Sequence, residues 1–247
     1  MDNYAGQLVH INELHRQLSS IFQMKKNLLI GCSNGMNFLD SFPKVFDDKN
    51  IKWFNKSWSA MGNIYISSML FEFIEEFGIP DYVYFQFSGL SRIDIPFDRN
   101  IEVPDYSFQR KTRYKNWVAS GGHDGSWPHN DLTKKLFCYL YDPKNEKTNH
   151  DISFKNIFAA IELCKILKIK YNWTFYYNIF DPPKDSNAYK LDGKIEKFPD
   201  YIDTTNFLGV YPLNFAYEIN EAPEDGIHYS IGSFLKFLIT YKDKFNI

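Results

Sequence analysis

Hydrophobic residues recur at helical spacing in several stretches of the chain, each with apolar side chains on one face and polar ones on the other. Gly78 and Pro80 end one of these stretches, and Ser230 precedes the last and is suited to cap it. The pattern predicts helices near residues 11–22, 63–77 and 153–168, and another that begins after Ser230.

Short apolar and aromatic runs between these helices predict buried β-strands near residues 27–32, 81–88 and 170–178. Helix and strand alternate at least three times, which is typical of parallel strands joined by crossover helices in a doubly wound sheet. Ligands bind beyond the carboxyl ends of such strands. We therefore expect the functional site in the loops after Cys32, Phe87 and Asn178.

The periodicity fades between about residues 93 and 151, which predicts a long insertion or lid within a single domain of residues 1–247. Two histidines and two aspartates lie close together there, and they form a candidate metal site: His123, Asp124, His129 and Asp131. Metal ligands are usually fixed on rigid elements. Because this stretch has the composition of a loop, we expect no metal, and a surface loop or a lid carrying Trp127 is favoured.

Charge and cysteine content exclude several classes of protein. The 28 Lys and Arg residues nearly balance the 30 Asp and Glu residues, a net charge of −2 that argues against a nucleic-acid partner. The three cysteines show no C-x-x-C spacing, so neither a disulfide framework nor a zinc-cysteine site is expected.

No apolar run approaches the roughly 20 residues of a membrane span, and the first residues do not resemble a signal peptide. We expect a cytoplasmic or virion-associated protein without a membrane partner.

A serine and a histidine near opposite ends of the chain are candidates for nucleophilic catalysis. Ser33 follows the first predicted strand between two glycines, and a serine hydroxyl becomes a good nucleophile only when a base takes its proton. Of the six histidines, His228 has a carboxylate, Asp225, three residues earlier in the same turn. That carboxylate can orient the imidazole and stabilise its protonated form. The alternatives are that Ser33 caps a helix and that the Asp225–His228 segment is a structural turn.

Three segments resemble the SGNH (GDSL-like) hydrolases, in the family's order and over almost the whole chain. Gly31-Cys32-Ser33 is similar to the first block, Ala60-Met61-Gly62-Asn63 to the second, and Asp225-Gly226-Ile227-His228 to the last. The resemblance implies a flavodoxin-like, three-layer α/β/α fold with a mostly parallel central sheet and serine esterase chemistry without a cofactor or metal. It also implies that the N–H of Gly62 is an oxyanion donor, and we expect the N–H of Ser33 to be another. Asn34, Asn63 and Arg92 are the candidate substrate-binding residues.

The third block of the family is different here. Its G-x-N-D pattern, in which the Asn is an oxyanion donor, is replaced by Gln-Phe-Ser-Gly-Leu-Ser-Arg at residues 86–92. Ser88 is the candidate replacement donor, with Ser91 and Gln86 as alternatives, and losing one donor costs about 10²–10³ in rate. This variant resembles divergent SGNH-like proteins of tailed phages.

The expected function is hydrolysis of a small acyl ester by Ser33, His228 and Asp225, with an O-acetyl group on a carbohydrate as the expected substrate. Arg92 would clamp an anionic sugar or a carboxylate. The alternatives on the same scaffold are a non-catalytic carbohydrate-binding or virion-associated protein and an O-acyltransferase.

Overall fold

The computed structural model describes residues 24–92, 94–98, 100, 109–118, 143–183 and 195–247. The helix predicted near residues 11–22, the candidate metal cluster and Trp127 lie outside these ranges. The strands are β1 (Lys25–Gly31), β2 (Ile51–Asn55), β3 (Tyr82–Phe87), β4 (Ile95–Asp98), β5 (Gln109–Lys111), β6 (Lys115–Val118) and β7 (Lys170–Phe175). The α-helices are α1 (Phe38–Val45), α2 (Asn63–Phe77), α3 (Glu146–Ile166), α4 (Pro212–Glu218) and α5 (Ile231–Thr240).

Four parallel strands form the central sheet in the order β2-β1-β3-β7. The chain moves outward from β1 to β2 in one direction and then from β3 to β7 in the other. The strand order therefore reverses between β1 and β3, and the carboxyl ends of these two strands border the crevice where ligands bind in such sheets. The loops after Cys32 and Phe87 meet at this crevice.

Helices cover both faces of the sheet, and alternate residues of β3 contact different layers. Tyr84 packs against Phe38 of α1, which in turn stacks on Phe234 of α5. On the other face, Phe87 contacts Trp173 of β7, and Phe198 joins Trp173 to Phe154 of α3. The residues thus alternate between two buried faces, as expected for a central strand covered on both sides. This confirms the predicted three-layer α/β/α architecture.

Several elements differ from the sequence-based prediction. Helix α3 begins at Glu146 instead of near residue 153, so it extends into the stretch predicted as an insertion. The sequence pattern did not reveal α1, β2 or α4. Helix α1 contains Pro43, β2 is only partly buried at the edge of the sheet, and α4 has 7 residues, too few for a clear helical period.

Part of the predicted insertion folds onto the domain. Strands β4, β6 and β5 form a small antiparallel sheet. From it, the buried Trp117 meets Tyr65 of α2 edge to face, with ring centroids 5.5 Å apart. Thr112 also donates a hydrogen bond to Glu72 of α2 at 2.9 Å. Among the described residues, no helix is both long and apolar enough to cross a membrane.

Candidate active site

Ser33 opens a single 3₁₀ turn, Ser33–Gly35, directly beyond the carboxyl end of β1. The first N–H groups of such a turn have no acceptor within it, so they point outward as donors. Gly35 is held close to the loop after β2, where an added Cβ would lie 2.5 Å from Ser57 Oγ. Only a glycine fits this approach, which explains the residue at position 35.

The segment around His228 is shaped by the side chain of Asp225. One carboxylate oxygen of Asp225 accepts the backbone N–H groups of Ile227 and His228, each at 2.8 Å. Gly226, between Asp225 and Ile227, has φ 71°, a left-handed conformation that glycine adopts without steric cost. The D-G-x-H sequence therefore forms a tight turn in which the Asp225 carboxylate and the His228 ring face each other.

The structure brings the three residues into one hydrogen-bonded chain. Ser33 Oγ lies 2.8 Å from Nε2 of His228, across a sequence separation of 195 residues. Nδ1 of the same ring lies 2.5 Å from the second carboxylate oxygen of Asp225. An imidazole held this way by Asp225 carries its proton on Nδ1 and presents the lone pair of Nε2 to the serine.

Two hydrogen bonds hold the histidine turn in place, one to the sheet and one to the segment of Ser33. Tyr229, next to His228, receives a hydrogen bond of 2.5 Å from the side chain of Gln86 in β3. Asn34, next to Ser33, donates to the backbone oxygen of Ile227 at 3.2 Å. Tyr229 thus ties the histidine turn to the sheet, and Asn34 ties the segment of Ser33 to the same turn. Gln86, predicted as an alternative oxyanion donor, has its amide N–H directed at Tyr229 instead.

The charge of Asp225 matches a role opposite a protonated imidazole. Burial by itself raises the pKa of this carboxyl, but the hydrogen bonds from His228 and Ile227 outweigh that effect and place it below its ordinary value. Asp225 is therefore ionised at neutral pH. About half of the side-chain surface of both His228 (48%) and Asp225 (50%) is exposed, so solvent reaches the pair.

Gly62, predicted as an oxyanion donor, has a different partner in the structure. Its backbone N–H donates to both carboxylate oxygens of Asp94, at 2.8 and 3.0 Å. Asp94 also accepts the N–H of Tyr65 at 3.0 Å, so it caps α2 from a distant part of the chain. An oxyanion could use the Gly62 N–H only if Asp94 released it.

Asp94 is a residue that the sequence did not single out. It is 2% exposed, and this burial raises its pKa to about 7, against the opposing effects of the Tyr65 and Gly62 N–H groups and the nearby Arg92 charge. The contact with α2 joins residues about thirty positions apart, and no local pattern points to it. The one feature of the sequence that could have pointed to this contact is an acidic residue shortly after residues 86–92, the third block.

The predicted substrate-binding residues are all buried. Asn63 accepts the N–H of Ser88 at 2.8 Å and donates to the backbone oxygens of Ser88 and Gly89, each at 3.3 Å. Arg92 is 4% exposed, and its guanidinium carbon lies 5.6 Å from the ring centroid of Tyr176. Together with Asn34, these side chains contact loops of the protein itself. Direct binding of substrate by them would require those loops to move.

Ser88 and Ser91, the candidate third donors, have different surroundings. Ser88 is fully buried, and its hydroxyl has no hydrogen-bond partner in the described part of the chain. Ser91 Oγ lies 3.2 Å from Nε2 of His150, and Glu146 Oε1 lies 3.7 Å from the same nitrogen. In His150 the carboxylate thus lies beside Nε2, the nitrogen that faces the serine, whereas in His228 it lies beside Nδ1, on the opposite side of the ring.

No group of three or more potential metal-binding side chains occurs among the described residues. The predicted candidates His123, Asp124, His129 and Asp131 lie outside those ranges.

No family model matches this chain. Protein Ycf2 of Cuscuta reflexa is 27% identical to it over 135 residues, which cover 53% of this chain but 6% of that protein, so the match spans a small part of the relative. Among solved structures, the chain is similar to the psychrotrophic esterase EstA from Pseudoalteromonas sp., in a structure inhibited by monoethylphosphonate. That match has 13% identity and a TM-score of 0.46, and it covers 89% of this chain and 94% of the other. Neither match tests the resemblance to phage proteins or assigns a family, so the function must be argued from the geometry of the site.

Proposed function

We propose that this protein is a serine esterase that hydrolyses a small acyl ester with Ser33, His228 and Asp225. The observation that carries the proposal is the 2.8 Å contact between Ser33 Oγ and His228 Nε2, in a ring held by Asp225. A nucleophile bonded to a base, with the base oriented by a third group, is the arrangement that activates a serine hydroxyl.

The reaction proceeds through an acyl-enzyme. His228 Nε2 takes the proton of Ser33 as its oxygen attacks the ester carbonyl, and Asp225 stabilises the imidazolium that forms. The tetrahedral intermediate collapses, and His228 gives the proton to the leaving alcohol. His228 then takes a proton from a water molecule, which attacks the acyl-enzyme and releases the acid. Ser33 regains its proton from His228, so the cycle closes without a cofactor.

The oxyanion of the tetrahedral intermediate needs N–H or O–H donors close to Ser33. The N–H of Ser33 is the first donor in this proposal, because it opens the 3₁₀ turn. The Gly62 N–H is the second when Asp94 gives it up, and the Ser88 hydroxyl is the third. A site with fewer available donors loses about 10²–10³ in rate per donor, so we expect a slow esterase.

The exposure of the site favours a bulky alcohol and a small acyl group. His228 and Asp225 each keep about half of their side-chain surface in solvent, so an acetyl ester on a large saccharide can approach Ser33 without entering a deep tunnel. We therefore propose an O-acetyl group on a carbohydrate as the substrate. Solvent water at this exposed site is in large excess over any sugar acceptor, which favours hydrolysis over acyl transfer in deacylation.

A second candidate function is non-catalytic carbohydrate binding on the same scaffold, including a virion-associated role. It is favoured by the Gly62 N–H, which the Asp94 carboxylate occupies with both oxygens. The two candidates differ in the reactivity of Ser33. A fluorophosphonate probe labels an activated serine and leaves an inert one unmodified.

The decisive experiment compares Ser33→Ala with Ser91→Ala in the hydrolysis of p-nitrophenyl acetate. Ser33→Ala is expected to lose at least about 10³-fold in kcat/KM, because it removes the nucleophile. Ser91→Ala removes the other described serine bonded to a histidine. Because the proposal assigns the third donor to Ser88 and gives Ser91 no part in the reaction, this variant is expected to keep the activity. Peptide mapping of the fluorophosphonate adduct is expected to locate it on Ser33.

Equal activity in the wild type and Ser33→Ala, or a probe adduct on Ser91, would refute the proposed nucleophile. The substrate class is tested separately by the release of acetate from an O-acetylated polysaccharide. If p-nitrophenyl acetate is hydrolysed and the acetylated polysaccharide is not, the esterase proposal stands and the carbohydrate proposal fails.

A further inference from the structure

A cavity of about 360 Å³ lies at the edge of the central sheet opposite to Ser33. Residues at or next to the amino-terminal ends of the four parallel strands line it, among them Lys25 of β1, Ile51 of β2, Tyr82 of β3 and Lys170 of β7. Cavities of this size hold small organic ligands. The full height of the sheet separates it from the proposed active site, so it is a different site.

Positive charge exceeds negative charge in the wall of this cavity. Lys25, Lys168 and Lys170 line it, against the side chain of Asp81 and the terminal carboxylate of Ile247. The carboxylate of Asp81 accepts the backbone N–H of Lys26 at 2.7 Å, which satisfies part of its charge within the protein. The three lysines, all exposed, outnumber the acidic groups among the lining residues, and this excess of positive charge favours an anionic ligand.

Lys168, one of the lining lysines, lies in a strained backbone conformation. Lys168 has φ 55°, a left-handed conformation in the turn that ends α3, where Ile169 N–H donates to Cys164 O at 2.8 Å. Glycine is the usual residue at this position of a helix end, because a Cβ there is strained. Strain at a residue that lines a cavity is a signal of function, and here the strained residue supplies a charge.

The remaining walls combine a buried amide with apolar surface. Asn27 is 1% exposed, and its carboxamide oxygen has no hydrogen-bond partner in the described part of the chain. A buried polar group of this kind usually has a partner, and a carboxamide can offer either its oxygen or its N–H₂ group to a ligand. Ile51, Ile79 and Pro80 add apolar surface to the same cavity.

We propose that this cavity binds a small organic anion, with its carboxylate or phosphate group among Lys25, Lys168 and Lys170 and its apolar part against Ile51, Ile79 and Pro80. The polar end of the ligand also accepts a hydrogen bond from the N–H₂ group of Asn27, because the oxygen of this carboxamide is itself an acceptor and cannot pair with an anion. The proposal does not depend on the esterase activity, because none of these residues contacts Ser33, His228 or Asp225 through any interaction described above.

Isothermal titration calorimetry of the full chain with four probes tests the ligand class. The probes are hexanoate, hexyl phosphate, inorganic phosphate and 1-hexanol, so that the charged group and the apolar part are varied separately. We expect hexanoate or hexyl phosphate to bind more tightly than both inorganic phosphate and 1-hexanol. The stronger of the two identifies the anionic group.

Three variants locate the binding. Lys168→Gly and Lys170→Gln are each expected to weaken binding of the better anion about three- to fivefold, as for exposed charge pairs, and the double variant about tenfold. Lys168→Gly relieves the left-handed strain, so its unfolding midpoint is expected to stay the same or rise. Lys155→Ala removes one positive charge from an exposed position of α3 outside the cavity, and it is expected to bind as the wild type does.

Three results would each overturn the proposal. The first is the absence of binding of both organic anions at millimolar concentration. The second is equal affinity for 1-hexanol and for the anions, which would mean that the lysines do not bind the charged group of the ligand. The third is an equal loss of affinity in Lys155→Ala and Lys168→Gly, which would assign the effect to overall charge.

Discussion

Asp94 is a buried carboxyl whose ionisation should control the stability of the fold. Its pKa is raised to about 7 by burial, from the ordinary value of 3.8. Between these two values the folded protein holds a proton on Asp94, whereas the unfolded chain does not. Stability therefore falls as the pH rises through this window. Asp94→Asn keeps an oxygen for the N–H groups of Gly62 and Tyr65 and removes the ionisation.

The size of the effect follows from the same two values. The difference between about 7 and 3.8 is about three pH units, and each unit corresponds to 1.36 kcal/mol. The free energy of unfolding of the wild type is thus expected to fall by about 4 kcal/mol relative to Asp94→Asn between pH 4 and pH 7. Above pH 7 the difference should level off, because Asp94 is then ionised in both states.

Urea unfolding followed by tryptophan fluorescence at half-unit steps from pH 4 to pH 8.5 measures this difference. Asp243→Asn, which removes a carboxylate from an exposed position, controls for the change in net charge. A difference between the wild type and Asp94→Asn that stays constant across this range would refute the reasoning. A difference of the opposite slope would show that the N–H groups of Gly62 and Tyr65 stabilise the charge more than burial opposes it.

Two further predictions concern the histidine turn. Asp225→Asn should lower kcat for p-nitrophenyl acetate by about 10³–10⁴-fold with little change in KM, because the amide favours the wrong tautomer of His228. A loss of kcat below tenfold in steady-state kinetics would exclude Asp225 as the orienting group. Gly226→Ala places a Cβ at φ 71° and should destabilise the fold by about 1–2 kcal/mol and lower the rate at which the fluorophosphonate probe labels Ser33. Thermal unfolding measures the first effect and labelling kinetics the second. If neither value changes, the turn tolerates the strain.

Local patterns of apolar residues were sufficient for the main elements of the fold. Helix α2 occupies the residues predicted for it, and α5 follows Ser230, whose hydroxyl accepts the N–H of Ser233 as an N-cap. Both elements bury one clear stripe, so the spacing of their apolar residues reflects their packing. The sequence did not predict the edge strand β2, which is only partly buried, or the helix α4, which is short. In both, too few buried residues recur at a regular spacing to show a pattern.

The candidate triad could be predicted because its parts are locally encoded. Asp225, Gly226 and His228 form one turn through contacts between near neighbours, and Ser33 stands at the end of a recognisable buried strand. The oxyanion donors could not be assigned in the same way. The partner of the Gly62 N–H is Asp94, and that contact depends on how the loop after β3 crosses the start of α2.

The sequence by itself determined the layered α/β architecture, the position of Ser33 at a strand end and the turn that pairs His228 with Asp225, because each depends on residues close together in the chain. Tertiary structure alone decided that Ser33 meets His228, that Asp94 occupies the Gly62 N–H and that three lysines surround one cavity at the opposite edge. These contacts join distant segments whose approach is set by the order of the strands and the packing of the helices on them, and no local spacing of residues carries that information.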